Sequence, residues 1–268
     1  MKSPRSYNFW KLEAAGNDFI FIDNRDKMFS GKENKLFRRI CTRRRSVGAD
    51  GVILIEDSDK ADYRIRYFNA DGFESTMCGN AGRSALFFAY YQGIAGMMQK
   101  VEVIDGIHSG AIFTDRIEFE ILAKGSPVKV EIDNIDNNKS HSGYKIDTGV
   151  PHVVLFVDDL DFEVVETGRK IRYHKLFAPE GTNANFIEIR KDGKIYVRVY
   201  ERGVEDETLS CGTGATACAI VLNQIKNMSF PVSLNFPGGE LTIDMREERF
   251  YLAGDVNLVY KGKMILTS

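Results

Sequence analysis

The sequence has few cysteines, little net charge and no long apolar run. Its 268 residues carry a formal net charge of −2, which argues against a general nucleic-acid-binding protein, because such proteins need a strong basic excess. No apolar run approaches the roughly 20 residues of a membrane span. Residues 1–9 also lack the apolar stretch of a signal peptide. We therefore expect a cytoplasmic protein that binds neither nucleic acid nor membrane.

The four cysteines are too few for the disulfide framework of a small secreted protein. The sequence has no Cys-x-x-Cys and no histidine at finger-like spacing from a cysteine, so it predicts no metal site. Cys41 lies in an arginine-rich segment and Cys218 inside an apolar helical segment, and both are interpreted as structural. The arginines near Cys41 are interpreted as a solvated helix face: Arg38, Arg39, Arg43, Arg44 and Arg45.

One pattern occurs twice along the chain. Gly48-Ala49-Asp50-Gly51 is echoed by Gly181-Thr182-Asn183-Ala184, and in both copies a Cys-Gly pair follows 30 residues after the first glycine. The two cysteines, Cys78 and Cys211, are 133 residues apart. Such a repeat predicts two similar halves. The predicted halves are 1–123, completed by the last strand at about 259–268, and 124–258. The polar stretch 124–147 is expected to be a core-poor boundary, with an edge strand where Val128-Lys129-Val130-Glu131-Ile132 alternates.

The segments after Cys78 and Cys211 have no charged face, which predicts a helix buried on all sides in each half. The predicted fold class is α/β (α+β): two pseudo-symmetric domains, each a curved, mainly antiparallel sheet around a central helix. Each cysteine then begins a buried helix, where free N–H groups and the helix dipole favour a thiolate and hold a carboxylate. A buried cysteine is often only a small core residue, but two matched positions favour chemistry.

An ordered set of short motifs runs along the chain: Gly16-Asn17-Asp18-Phe19, Gly48-Ala49-Asp50-Gly51, Phe68-Asn69-Ala70-Asp71-Gly72, Met77-Cys78-Gly79-Asn80, Pro151-His152, Asn183, Tyr200-Glu201-Arg202-Gly203 and Cys211-Gly212-Thr213-Gly214. This set resembles the diaminopimelate epimerase family, in the cofactor-independent amino-acid racemase group. The resemblance covers nearly the whole chain. It implies an isomerase that converts LL-2,6-diaminopimelate to the meso form, for lysine and peptidoglycan synthesis. It also implies a homodimer that takes a small amino-acid substrate and uses no organic cofactor or metal.

The resemblance implies roles for individual residues. Cys78 and Cys211 are the catalytic pair, one a thiolate base and the other a thiol acid, placed in a cleft between the two domains. The substrate-binding residues that it implies are Asn17, Asn69, Gly79, Asn80, Asn183, Glu201, Arg202, Gly212 and Thr213. His152 and Glu201 match residues that tune the cysteine pair. The competing interpretations are a core histidine, a salt-bridged carboxylate and, for the asparagines, turn formation.

Two departures from the family pattern stand out. Many relatives carry Asn immediately before Pro-His, where this chain has Val150, and this difference removes a polar contact to the substrate. The first cysteine motif has Ala81 and Gly82 in exchanged order. One alternative is therefore a sister racemase or isomerase of the same fold that acts on proline or hydroxyproline. Another is a non-enzymatic thiol protein or metal-binding protein, which would carry a Cys78–Cys211 disulfide or bound zinc.

Overall fold

A computed structural model describes residues 5–76, 78–123, 125–136 and 139–266. These residues fold into two compact units. The first unit contains the described residues up to Phe119 and those from Asp255 onward, and the second is Glu120–Gly254. Lys124, the predicted start of the second half, lies outside the described residues, as do residues 267 and 268 of the predicted last strand.

The described residues form seventeen strands, four α-helices and one 3-10 turn. The strands are β1 (Arg5–Ala14), β2 (Asn17–Asp23), β3 (Gly51–Glu56), β4 (Tyr63–Asn69), β5 (Met98–Val103), β6 (Gly106–Ile112), β7 (Ile117–Ile121), β8 (Val128–Asp136), β9 (Lys139–Asp147), β10 (Pro151–Phe156), β11 (Asn183–Ile189), β12 (Ile195–Glu201), β13 (Asp206–Thr208), β14 (Val232–Phe236), β15 (Gly239–Arg246), β16 (Arg249–Gly254) and β17 (Asn257–Leu266). The helices are α1 (Asn34–Cys41), α2 (Gly79–Tyr91), α3 (Val164–Arg172) and α4 (Gly212–Lys226), and the 3-10 turn is Lys175–Phe177.

The two units repeat one order of strand pairings. In the first unit β17, β1 and β2 are antiparallel, β2 is parallel to β3, β3 is antiparallel to β4, β4 is parallel to β5, and β5, β6 and β7 are antiparallel. The second unit has the same order over β8, β9, β10, β11, β12, β14, β15 and β16. In each unit, one helix (α1 or α3) lies between the two strands of the first parallel pair. The other helix (α2 or α4) directly precedes the second strand of the second parallel pair. This mixed architecture confirms the predicted fold class.

Helices α2 and α4 are the central helices of their units. Helix α2 packs against β1, β2, β3 and β6, and α4 packs against β9, β10, β11, β14, β15 and β16. Residues 79–86 of α2 and 214–222 of α4 are buried. Because strands cover every side of these segments, a continuous apolar surface is stabilising and no solvated face is needed. These buried segments also hold the polar side chains of Asn80, Ser84 and Thr216 and one charged side chain, that of Arg83.

The polar stretch 124–147 contributes to the core, contrary to the poor core that its composition predicts, and its alternating segment Val128–Ile132 lies in a strand, as predicted. Strands β8 and β9 pair as an antiparallel hairpin, and β9 continues the pairing to β10. Ile132 and Ile146 are buried, and Ile132 belongs to a core cluster with Val153 and Leu155. Composition misleads here because strand alternation places the polar side chains on the face opposite the isoleucines.

Candidate active site

Cys78 and Cys211 are the N-cap residues of the central helices α2 and α4. Both have extended backbone, with φ and ψ of −105° and 126° for Cys78 and −136° and 116° for Cys211. Their carbonyls accept the first helical hydrogen bonds, from Gly82 at 2.9 Å and Ala215 at 2.8 Å. The backbone N–H groups that lie between each cysteine and that donor have no carbonyl partner within the helix. Both cysteines therefore occupy a position where the backbone stabilises a thiolate.

The other two cysteines lie in a different environment. Cys41 is buried at the end of α1, and burial raises the pKa of its thiol to about 12. Cys218 is fully buried inside α4, and burial raises its pKa still further above the usual range. Both thiols are therefore neutral at physiological pH and act as core side chains.

A chain of polar side chains leads to the Cys211 sulfur in the second unit. Asn185 Nδ2 lies 3.1 Å from the Val153 carbonyl oxygen and 3.1 Å from His152 Nδ1. Because a carbonyl can only accept, the group facing it is the amide NH2, and the same group donates to Nδ1. His152 therefore carries its proton on Nε2 and donates it to Thr213 Oγ1, at 3.0 Å.

This series of hydrogen bonds ends at the Cys211 sulfur. The Thr213 hydroxyl accepts from His152, which leaves its own proton available for Cys211 Sγ, 3.4 Å away, and the Gly214 N–H donates to the same sulfur at 3.4 Å. Burial, reinforced by the Arg202 cation and opposed by an Asn185 hydrogen bond, lowers the pKa of His152 to about 3. The imidazole is thus neutral and keeps this direction of donation. Two donors stabilise the thiolate form of the sulfur.

Glycine is required beside each cysteine at different positions. A Cβ on Gly214 would lie 2.5 Å from Asn185 Oδ1 and 3.2 Å from Cys211 Cβ. In the first unit the close approach comes one position later, at Gly82, where a Cβ would lie 2.7 Å from the Phe119 ring. The exchanged Ala-Gly order of the first motif therefore follows from which neighbour lies closest to each helix.

In the first unit the side chains of Asn17 and Asn80 meet. Asn80 Nδ2 donates to Asn17 Oδ1 at 2.7 Å, and Asn17 Nδ2 donates to Asp50 Oδ2 at 3.2 Å. Asn80 is fully buried in the first turn of α2, two residues after Cys78. The amide of Asn17 is therefore fixed close to the helix start that carries the cysteine.

A small ion-pair cluster supports that asparagine pair. Arg43 donates two hydrogen bonds to Asp18, at 2.8 and 2.7 Å, and Lys11 approaches the same carboxylate at 2.8 Å. Burial opposes charge on Asp18, but the hydrogen bonds from Arg43 and Lys11 hold the pKa of its carboxyl below the usual value. The predicted helix face is wrong for Arg43, Arg44 and Arg45, because α1 ends at Cys41, although these arginines are exposed to solvent as predicted.

Asn183 connects two backbone segments of the second unit. Its Nδ2 donates to the Pro151 carbonyl at 2.9 Å, and its Oδ1 accepts from the Arg202 N–H at 2.8 Å. Its side chain lies in a buried setting, with the residue 4% exposed. These bonds fix the turn that presents the Arg202 side chain, whose Nη1 donates to the Glu180 carbonyl at 3.4 Å.

Glu201 and Asn69 end the strands β12 and β4. The Glu201 carboxylate accepts a hydrogen bond from the Thr208 hydroxyl. The Asn69 backbone closes a turn, with its N–H donating to Phe73 and its carbonyl accepting from Gly72, at 3.0 and 2.8 Å. Among the described residues, the side-chain amide of Asn69 has no hydrogen-bond partner. Gly79 and Gly212 are the first residues of α2 and α4.

Sequence reasoning missed two members of the second-unit site. Asn185 lies two residues after Asn183, on the same face of β11, so strand alternation was the available signal. Thr148 donates its hydroxyl to the Thr213 carbonyl at 2.9 Å, and nothing in the local sequence indicates this contact. Asn185 sets the tautomer of His152, so this omission concerns the chemistry directly.

Other features of the described residues suggest no competing site. A cavity of about 510 Å³, lined in part by Lys194, Met228 and Pro231, lies beyond the C-terminal end of α4, whereas Cys211 begins that helix. Within the described ranges, no group of three or more His, Cys, Asp and Glu side chains is placed to hold a metal ion. No helix in this part of the chain is both long and apolar enough to cross a membrane.

Solved structures define the class of fold. A phenazine biosynthesis protein from Bacillus anthracis superimposes with a TM-score of 0.74 at 15% identity, covering 98% of this chain and 100% of that one. A probable proline racemase from Agrobacterium radiobacter K84 gives 0.73 at 13% identity, covering 97% and 93%. At these identities the likeness concerns the fold alone.

Sequence comparison defines the family within that class. The diaminopimelate epimerase family model matches residues 9–132 and 144–259. The diaminopimelate epimerase of Archaeoglobus fulgidus is 40% identical, covering 95% of both chains. That of Aquifex aeolicus is 39% identical, covering 96% of this chain and 97% of its own. The chain belongs to the diaminopimelate epimerase family of isomerases.

Proposed function

We propose that this protein interconverts LL- and meso-2,6-diaminopimelate, for lysine and peptidoglycan synthesis, with Cys78 and Cys211 as its acid–base pair. The observation that carries the proposal is that each cysteine caps the central helix of one of two units with the same strand order. The relatives at 39% and 40% identity are diaminopimelate epimerases. We propose further that the enzyme is a cytoplasmic homodimer and works without pyridoxal phosphate or another organic cofactor.

The chemistry follows from the two sulfurs. One thiolate removes the α-proton, and the electron pair of the broken C–H bond spreads from the α-carbon into the carboxylate. The other thiol gives its proton to the opposite face, forming the new C–H bond and becoming the thiolate. The N–H groups of Gly79, Asn80, Gly212 and Thr213 hold the carboxylate as its charge grows, which lowers the barrier.

The rest of the substrate needs polar partners. In this proposal, Asn17, Asn69 and Asn183 contribute amide groups, and Glu201 and Arg202 contact the distal amino-acid end of the substrate. The Arg202 guanidinium suits the distal carboxylate, since the planar fork of arginine matches carboxylate geometry. Proline and hydroxyproline have no second amino-acid end, and a hydroxyproline epimerase from Agrobacterium vitis shares only 12% identity with this chain.

The test is turnover of single-cysteine variants. Cys78→Ala and Cys211→Ala are each expected to lose about 1,000-fold in LL-to-meso conversion, measured with deuterium wash-in at the α-carbon. Cys218→Ala, a change deeper in α4, is the matched control and should retain activity. L-Proline and trans-4-hydroxy-L-proline are assayed beside LL-diaminopimelate.

Three results would contradict the proposal. The first is normal turnover by a folded variant of either cysteine. The second is faster exchange on a proline substrate. The third is stoichiometric zinc in elemental analysis of an inactive protein, which would favour a non-enzymatic thiol or metal protein.

A further inference from the structure

Arg83 is a charged side chain enclosed in the interior of the first unit. It is 0% exposed, and its Nε, Nη1 and Nη2 atoms have no hydrogen-bond partner among the described residues. A guanidinium carries five donors and almost never loses its charge, so burying it without acceptors is costly. Such an arrangement points to a nearby anion whose charge offsets that of the buried guanidinium.

Arg83 follows Cys78 by five residues on α2, the helix that Cys78 caps. Long side chains on a helix lean toward its N-terminus, so the guanidinium extends toward the first turn. Burial lowers the pKa of Arg83 to about 10, while the charges of Cys78, Asp255 and Glu13, in that order, raise it. The side chain therefore remains a cation at neutral pH.

The two carboxylates do not neutralise this cation. Glu13 accepts a hydrogen bond from the Gly16 N–H at 2.6 Å and none from Arg83. Asp255 is exposed, so water screens its charge. Cys78 also accepts no hydrogen bond from Arg83, but it is the partly buried group whose charge acts most strongly on the guanidinium. Its sulfur therefore acts as a counter-charge at a distance.

The second unit has no such cation at the matching position. Thr216 follows Cys211 by five residues, and its hydroxyl donates to the Gly212 carbonyl at 3.0 Å, within the helix. The Cys211 sulfur instead faces the neutral groups of Thr213 and Gly214, and the Arg202 cation of this unit acts on His152. A nearby opposite charge stabilises a thiolate more strongly than neutral hydrogen bonds do.

We propose that Arg83 is a positioning residue for the reaction, acting as the resident counter-ion that keeps Cys78 a thiolate between turnovers. Cys211 then holds the thiol proton at rest, and its neutral donors stabilise the anion that forms there during the reaction. The catalytic meaning of this pairing rests on the proposed function. The pairing itself is a property of the folded chain without substrate.

The pH dependence of alkylation tests the pairing. Iodoacetamide labelling of each cysteine, quantified by peptide mass spectrometry from pH 5 to 10, gives a midpoint for Cys78 and one for Cys211. In the unaltered protein the Cys78 midpoint should be lower by about one pH unit or more. Arg83→Met should raise the Cys78 midpoint by about one unit or more, and Arg83→Lys, which keeps the charge, should restore most of the difference. Thr216→Val should leave the Cys211 midpoint unchanged.

The outcomes separate the two proposals. Equal or reversed midpoints in the unaltered protein would overturn the role of Arg83, and this measurement does not depend on the folding of any variant. An unchanged Cys78 midpoint in folded Arg83→Met would overturn it as well. If cysteine variants remain active while the midpoints behave as expected, the proposed function fails and the ion pairing stands.

Discussion

The two helix starts hold the same residue in unlike surroundings. Cys78 caps the helix that holds the buried cation Arg83. Cys211 instead lies at the end of a series of hydrogen bonds through Thr213 and the neutral His152. The strand pairings around the two helices follow one order, so the difference lies in the side chains. A two-base reaction needs one base and one acid at the same moment. A repeated fold can supply both from one residue type by changing what surrounds each copy.

The largest effect expected in this comparison is that of Gly214→Ala. Its Cβ would lie 2.5 Å from Asn185 Oδ1 and would displace the amide that sets the His152 tautomer. We expect kcat for LL-diaminopimelate to fall about 100-fold, as when a preorganised donor is lost. Gly82→Ala is the matched change in the first unit. It presses on the Phe119 ring and should lower the free energy of unfolding by about 1–3 kcal/mol, measured in urea. Equal kcat losses in both variants would show that the two glycines serve packing alone.

A pH effect on stability should belong to the second unit, where His152 lies. The pKa of His152 is about 3 in the folded protein and near its ordinary value of about 6.5 when unfolded. Below pH 6.5 the unfolded chain therefore binds a proton that the native state does not, so the free energy of unfolding decreases as the pH is lowered. Between pH 6.5 and 4.5 this group costs about 2 kcal/mol. His152→Gln should remove that part of the slope in urea unfolding, and an unchanged slope would contradict the assignment.

Thr213→Val should have a smaller effect, because it removes one of two donors to Cys211. We expect kcat to fall about tenfold and the Cys211 alkylation midpoint to rise, with the Cys78 midpoint unchanged. Thr216→Val, in the same helix, is the control, because among the described residues the Thr216 hydroxyl bonds only the helix backbone. A shift of both cysteine midpoints would show that the two sites are not tuned separately.

The smallest expected effect is that of Val150→Asn. Val150 stands 133 residues after Asn17, so this change gives the second unit the amide that the first already has. We expect KM for LL-diaminopimelate to fall about threefold with kcat unchanged, the size of one modest hydrogen bond. Val204→Asn, at an exposed position, is the control. A rise in KM would show that the valine is itself suited to the substrate of this protein.

The sequence predicts the cysteine positions well because their signals are local. A glycine-rich start followed by an apolar run predicts a buried helix, and a repeat of that pattern predicts its twin. Asn185 could not be assigned a role in the same way, because its orientation depends on the Val153 carbonyl of a neighbouring parallel strand. Arg83 gives no local signal either. Arginine is usually exposed, and the strands that cover it come from distant parts of the chain.

The pairing of β1 with β17 has a consequence for synthesis on the ribosome. Arg5 in β1 lies opposite Leu266 in β17, so the unit that carries Cys78 needs residues from both ends of the described chain. The unit that carries Cys211 is one continuous segment. The second unit, which is translated later, can therefore complete its sheet before β17 is available to pair with β1. Until then β1 has one unpaired edge. An unpaired strand edge favours incorrect pairing, so we expect chaperone binding during synthesis mainly at the unit that carries Cys78.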